Sequence, residues 1–204
     1  FRRLTLSVGP GVFVPRPETE LLVGHALRAL SGVDRPLVVD LCTGSGAIAL
    51  SVKSECPRAR VVAVELSAHA HAWATENVTR TSLAVELHLG DATTALPELD
   101  GTADVVVSNP PYIPVGAVPV DPEVRDHDPE VALYGGSSDG LAIPLQVAER
   151  AASLLRSGGT LVMEHGDTQG AALVRALAET GWWTSVTDHP DLVGKPRHVV
   201  ARRA

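Results

Sequence analysis

Short apolar runs alternate with amphipathic stretches along most of the chain. Leu37–Leu41, Arg60–Glu65, Val85–Leu89, Ala103–Ser108, Thr160–Glu164, Thr184–Asp188 and His198–Arg202 read as strands of five or six residues. Ala47–Cys56, Ala68–Thr79, Leu141–Arg156 and Thr168–Thr180 carry apolar side chains at helical spacing. Nearly continuous apolar strands between such helices predict an α/β fold with a mostly parallel sheet covered on both faces. Upstream, Leu4–Val8 and Val12–Val14 flank Gly9-Pro10-Gly11, which predicts a β-hairpin. Pro17, Glu18 and Glu20 then open a helix running through Leu21, Leu22, Ala26, Leu27 and Leu30 to stop near Gly32. Residues 1–32 thus lead into a domain at 33–204. Residues 109–139 are rich in Pro and Gly, too long for a bland connection, and are expected to cover a substrate site.

Composition narrows the class. Apolar residues make up 45% of the 204, enough to bury a core and to argue against disorder. None of the apolar runs approaches the roughly 18–20 residues of a membrane helix. The net charge of −7 disfavours direct nucleic-acid binding without excluding it, since charge can be segregated in space. Cys42 and Cys56 have neither metal-ligand nor redox spacing, and the eight histidines form no cluster, so no metal is expected. A reduced, cytoplasmic setting follows.

Two motifs carry chemistry. Asp40-Leu41-Cys42-Thr43-Gly44-Ser45-Gly46-Ala47 leaves the first buried strand and opens a helix, the position at which open α/β sheets bind ligands. Gly44-x-Gly46-x-x-Ala49 also fits a dinucleotide loop, and Glu65, closing the second strand, would accept ribose hydroxyls from either cofactor. Asp40 tilts the choice, because an anion there repels a pyrophosphate and suits the cationic methionine end of S-adenosylmethionine. Asp91 and Ala92, after the third strand, stand where this fold contacts adenine. The second motif is Asn109-Pro110-Pro111-Tyr112, at the abrupt end of a buried strand. Two prolines stiffen the backbone and leave carbonyls free to point into a cavity. The Asn109 side-chain oxygen and the Pro110 carbonyl can each accept a hydrogen from a target –NH2, with Tyr112 against its plane. Such acceptors orient a poorly nucleophilic, conjugated nitrogen for in-line attack on a methyl group about 3 Å away. Arg16 is expected either to touch substrate or to pair with Glu18 or Glu20.

Together these residues resemble the HemK-type peptide-chain release factor glutamine methyltransferases over nearly the whole chain. Val14-Pro15-Arg16-Pro17-Glu18-Thr19-Glu20, the Asp40–Ala49 loop, Asn109–Tyr112, Gly135-Gly136 with Asp139-Gly140-Leu141, and Glu164-His165-Gly166 carry the likeness. The resemblance implies a class I methyltransferase fold, Rossmann-like, with a seven-stranded sheet and an antiparallel last strand. It implies methyl transfer from S-adenosylmethionine to the glutamine amide of the Gly-Gly-Gln motif in class I release factors. It implies that Asn109 and Pro110 hold the amide, that Tyr112, Pro111 and Phe13 shape the pocket, and that Cys42, Thr43, Gly44, Ser45, Gly46, Glu65, Asp91 and Ala92 line the cofactor site. Cys42 stands where relatives often have Gly, and Asp128-Pro129 where they often have Glu-Pro. The family's helical N-terminal docking domain has no counterpart here, so with a start at Phe1 the chain is expected to be a fragment. The rival expectation is an N-methyltransferase acting on adenine in DNA or RNA, or on another amino group, with the same acceptor geometry.

Overall fold

The computed structural model describes residues 1–119 and 121–204; Val120, in the proline-rich segment, lies outside the described residues. The elements follow in the order α1 (Thr19–Ala29), β1 (Leu37–Leu41), α2 (Ala47–Glu55), β2 (Arg60–Glu65), α3 (Ala68–Thr81), β3 (Val85–Leu89), β4 (Ala103–Ser108), α4 (Pro122–His127), α5 (Ala142–Leu154), β5 (Leu155–Glu164), α6 (Gly170–Glu179), β6 (Trp183–Pro190) and β7 (Pro196–Arg203). Among the described residues, seven strands form one sheet in the order β3-β2-β1-β4-β5-β7-β6. β1 pairs in parallel with β2 and β4, and β4 with β5, while β7 runs antiparallel to both its neighbours. The last strand is therefore the antiparallel one, as expected. The strand order reverses between β1 and β4, which opens a crevice at their carboxyl ends.

Side-chain alternation explains why the strands read as unbroken apolar runs. Val38, Val105 and Val107 face a layer made by α1 and α2, where Leu22, Leu30, Ile48 and Leu50 are buried. Val39, Val106 and Met163 face the opposite layer, with Val147 and Leu154 of α5 and Leu173 and Leu177 of α6. Both faces are sealed, so neither set can be polar. Trp183 packs into this second layer.

The N-terminal hairpin does not form. Among the described residues, 1–16 contain no strand. The segment lies against α3 instead, and side chains satisfy its backbone. Fully buried Asn77 accepts from Ser7 N at 2.7 Å through Oδ1, and its Nδ2 donates to Ser7 O at 2.9 Å and Ser45 O at 3.0 Å. The Trp73 indole donates to Pro10 O at 3.2 Å. Gly9 lies so close to the Trp73 ring that a Cβ there would collide with it. Gly9-Pro10-Gly11 is thus a close-approach site for Trp73, not a hairpin turn.

Two other boundaries moved. α5 ends at Leu154, and Leu155 already pairs with Ala103, so β5 begins five residues earlier than its apolar run suggests. The proline-rich segment contains α4, capped by Asp121 Oδ1 accepting from Glu123 N at 2.9 Å and opened by Pro122. Asn77→Ala should destabilise the fold by about 2–3 kcal/mol in urea titration, because it orphans buried backbone groups in two segments at once.

Candidate active site

The carboxyl ends of β1, β2 and β4 are in register: Leu41 lies beside Val64 on one side and Ser108 on the other. The Ser108 hydroxyl donates to Leu41 O at 2.7 Å and ties β4 to β1 just before both strands release their loops. Beyond these ends lies a cavity of about 520 Å³, within the range of small-molecule and cofactor sites.

Carboxylates organise one half of the cavity. The loop after β1 turns through Cys42 (φ 64°), Gly44 (φ 58°) and Gly46 (φ 82°). Cys42 therefore occupies a left-handed position that suits glycine. Burial, reinforced by Glu65, raises the Cys42 thiol well above its ordinary range, so it stays protonated. Glu65, nearly buried at the end of β2, accepts from Gly44 N and Ser67 N, each at 2.8 Å. Two backbone amides on separate loops thereby fix its carboxylate, which still borders the cavity. Asp91 accepts from Thr93 N at 2.8 Å and from the Thr93 hydroxyl at 2.7 Å; it and Ala92 line the same half.

Two sequence expectations need correction here. Neither Asp40 nor Gly46 lines the cavity. Asp40 is fully buried beneath the loop, where Oδ2 accepts from the Thr43 hydroxyl at 2.6 Å and from Ala49 N at 3.0 Å. Burial pushes its carboxyl up to about 7 against these two hydrogen bonds. Oδ2 thus ties the loop to the first turn of α2, while Oδ1 has no hydrogen-bond partner among the described residues. Gly46 is the left-handed residue preceding α2, where a Cβ would press on Leu50 at 3.3 Å. Cys42, Thr43, Gly44, Ser45, Glu65, Asp91, Ala92 and Asn109 do border the space.

The other half is built on the β4 exit. Asn109, Pro110, Pro111 and Tyr112 line the cavity with Phe13. Asn109 Nδ2 lies 3.5 Å from Thr19 Oγ1, and the Thr19 hydroxyl donates to Glu164 Oε2 at 2.7 Å. Asn109 Oδ1 accepts no hydrogen bond from the described residues. The Tyr112 hydroxyl donates to Glu164 Oε1 at 3.1 Å. The Tyr112 backbone is braced as well. Gln169 Nε2 donates to Tyr112 O at 2.8 Å and to Asp139 O at 2.7 Å, while its Oε1 accepts from Gly166 N at 2.8 Å. Gly140 (φ 74°) packs so closely on Tyr112 O that a side chain there would collide with it. The glycine-rich segment at 135–141 is therefore the mould for the Asn109–Tyr112 exit.

Sequence reasoning missed Thr19, Asp128 and Gln169 and left Glu164 without a task. Arg16 does not pair with Glu18 or Glu20. Its Nη2 lies 2.9 Å from Asp128 Oδ2, and Asp128 Oδ1 accepts from Val14 N at 3.2 Å. The Arg16 guanidinium also sits 5.3 Å from the Phe13 ring centroid, within cation–π range. Asp128, nearly buried, thus holds one wall of the cavity from within the proline-rich segment. Of that segment, Val124, Pro129 and Leu133 also line the cavity. The signal for Glu164 was a carboxylate closing an otherwise apolar strand.

The family model for the methyltransferase small domain matches residues 4–120. The release factor glutamine methyltransferase of Streptomyces coelicolor is 53% identical over 207 residues, an alignment covering 100% of this chain and 73% of that protein. A 4-amino-L-phenylalanine/4-methylamino-L-phenylalanine methyltransferase of Streptomyces pristinaespiralis is 43% identical, over 90% of this chain and 64% of that protein. Among solved structures, a methyltransferase from Pyrococcus furiosus superposes with a TM-score of 0.67 at 20% identity, covering 97% of this chain and 87% of that one, a likeness of fold. The sheet order, the crevice between β1 and β4 and a match along its full length make this chain a member of the release factor glutamine methyltransferase family.

Proposed function

We propose that this chain transfers a methyl group from S-adenosylmethionine to the side-chain amide nitrogen of the glutamine in the Gly-Gly-Gln motif of class I release factors. The observation that carries the reading is Asn109, whose Nδ2 is turned toward Thr19 so that Oδ1 is left for a ligand at the cavity wall. Residues 1–32 lead into the methyltransferase domain at 33–204 in this reading.

The residues present fit the cofactor. Glu65, with its carboxylate fixed by two amides, accepts the ribose hydroxyls, and Asp91 and Ala92 receive the adenine. Cys42, Thr43, Gly44 and Ser45 supply the floor. Glu65 would serve the ribose of a dinucleotide equally well, and the match to methyltransferases favours S-adenosylmethionine. S-adenosylmethionine supplies an electrophilic methyl group on a sulfonium.

Asn109 Oδ1 and the Pro110 carbonyl accept the two hydrogens of the target amide. This pins its plane and favours the positive charge that builds on nitrogen as its lone pair leaves conjugation. Pro111, Tyr112 and Phe13 wall the planar group, and Arg16 and Asp128 hold Phe13 in place. No strong base is needed before attack, since the nitrogen becomes acidic only as the bond forms, and the proton leaves afterwards.

Among the described residues, no helix is long and apolar enough to cross a membrane. In this reading the partner is a protein and the work is cytoplasmic, and the net charge of −7 disfavours direct nucleic-acid binding. A second reading has one observation behind it. The relative named for 4-amino-L-phenylalanine is 43% identical, so an aryl or base amino group could meet the same two acceptors.

Methyl-labelled cofactor should label a class I release factor bearing Gly-Gly-Gln and leave its Gln→Ala version unlabelled. Equal labelling of both, or of neither while an aryl amine or adenine substrate is labelled, would reject the glutamine reading. Asn109→Ala should lower kcat by about 10²–10³-fold, as loss of one oriented transition-state hydrogen bond does, with cofactor affinity retained. Glu65→Ala should weaken S-adenosylmethionine binding by about 1–3 kcal/mol in calorimetry; an unchanged Kd would remove Glu65 from the site.

A further inference from the structure

Glu164 is 1% exposed and lies behind the cavity wall, where the substrate cannot reach it. Its two oxygens are nonetheless spent on the two side chains that face the substrate. Oε2 accepts from Thr19, which stands 3.5 Å from the Asn109 amide nitrogen, and Oε1 accepts from the Tyr112 hydroxyl. An amide has one accepting end and one donating end, and only the accepting end serves an –NH2 substrate. Thr19 Oγ1 is the one polar group beside the Asn109 amide nitrogen among the described contacts, so the direction of its hydroxyl bears on which end faces the cavity. While Thr19 donates to a carboxylate, its lone pairs are turned to Asn109 Nδ2, and Asn109 Oδ1 is left for the substrate.

We propose that Glu164 is a positioning residue: through Thr19 it sets which end of the Asn109 amide meets the substrate, and with its other oxygen it clamps Tyr112. The proposal rests on the reading of Asn109 as acceptor for the target nitrogen. It assigns work to Thr19 of the Pro-Arg-Pro-Glu-Thr-Glu segment and to the residue that closes β5, which lie 145 positions apart.

Protonation reverses the relay. A protonated Glu164 carries one donor; on Oε2, the oxygen with the shorter contact, it donates to Thr19, and Thr19 then donates onward to an amide turned the wrong way. Burial pushes the Glu164 carboxyl up to about 7, against the opposing pull of Thr19, Arg197 and Tyr112. The groups facing it are Tyr112 from the β4 exit, Glu18 before α1, Arg197 and His198 from β7, and the His165–Asp188 pair one residue further on. Burial drives His198 down to about 3, so its approach to Glu164 at 3.9 Å is not an ion pair. His25 of α1, with its ring 5.9 Å from that of His198, is pushed down to about 4, again chiefly by burial. Arg197 keeps its charge, and burial and Glu164 hold Tyr112 neutral. As pH falls through about 7 the relay inverts, and the rate should fall with it.

Steady-state methylation of a release factor tests this in Thr19→Val, Thr19→Ser and Glu164→Gln. Thr19→Val should lose about 10–100-fold in kcat, the scale of a small misplacement of a reacting group, with the cofactor Kd unchanged. Thr19→Ser, which keeps the hydroxyl, should restore most of the rate. The wild-type kcat should rise between pH about 6 and about 8.5, and that rise should vanish in Glu164→Gln. Asp40, which also titrates at about 7 but lies under the cofactor loop, is common to both proteins. A wild-type kcat in Thr19→Val, or an unaltered pH rise in Glu164→Gln, overturns the proposal; if Thr19→Val fails to fold, the pH profile decides alone. Loss of rate in Asn109→Ala beside a wild-type Thr19→Val sinks this proposal only, whereas full activity in Asn109→Ala sinks the reading beneath it too.

Discussion

A carboxylate sealed from water must find its hydrogen bonds inside the protein, and at Glu164 that requirement draws several separate stretches of chain to one point. Thr19 of α1 and Tyr112 of the β4 exit supply its two hydrogen bonds, and Arg197 of β7 adds a positive charge nearby. Losing one partner costs about 1–3 kcal/mol, because a buried oxygen is left without its hydrogen bond. The start of α1 is therefore held over the ends of β4 and β5. The substrate wall inherits its shape from this convergence.

The cofactor half follows the same logic at two depths. Asp40, at the lower level, stitches the loop to α2; Glu65, at the upper level, takes amides from the loop and from the start of α3 and remains beside the cavity. Asn77 extends the stitching outwards by joining the N-terminal segment to Ser45 of the loop. A change in the N-terminal segment can therefore reach the cofactor loop without touching it. The two halves meet at β1 and β4, where Ser108 and Leu41 share a hydrogen bond immediately below Asn109 and Cys42.

What the sequence could reveal follows from which interactions are local. The strands were legible because sealing both faces leaves no polar choice, and the two loops because Gly44, Gly46 and Pro110-Pro111 act on their own backbone. The hairpin was misread because Gly9-Pro10-Gly11 answers to Trp73, 63 residues away, with an indole hydrogen bond to Pro10. Of the two roles expected for Arg16, pairing with Glu18 or Glu20 fails for the same reason: Asp128, 112 residues on, takes it in preference to the glutamates beside it, while Arg16 still lines the cavity. Asp40 was legible as an acid at the site but not as one beneath it, since depth in a loop is set by φ values such as that of Cys42 and no residue pattern prints them.

The glycine-rich segment at 135–141 shows how a motif can be specific to a chemistry without touching the substrate. Ile113 N donates to Leu133 O at 2.7 Å and Gly135 N to Ile113 O at 2.9 Å, so the segment runs beside the strand exit like a short extra strand. Gly140 then closes on the Tyr112 carbonyl, where no side chain fits, and Gln169 locks both chains from α6. An Asn-Pro-Pro-Tyr exit alone can present two acceptors to many amino groups. The mould behind it fixes how far Tyr112 stands from Asn109, and hence how thick a planar group fits between the walls.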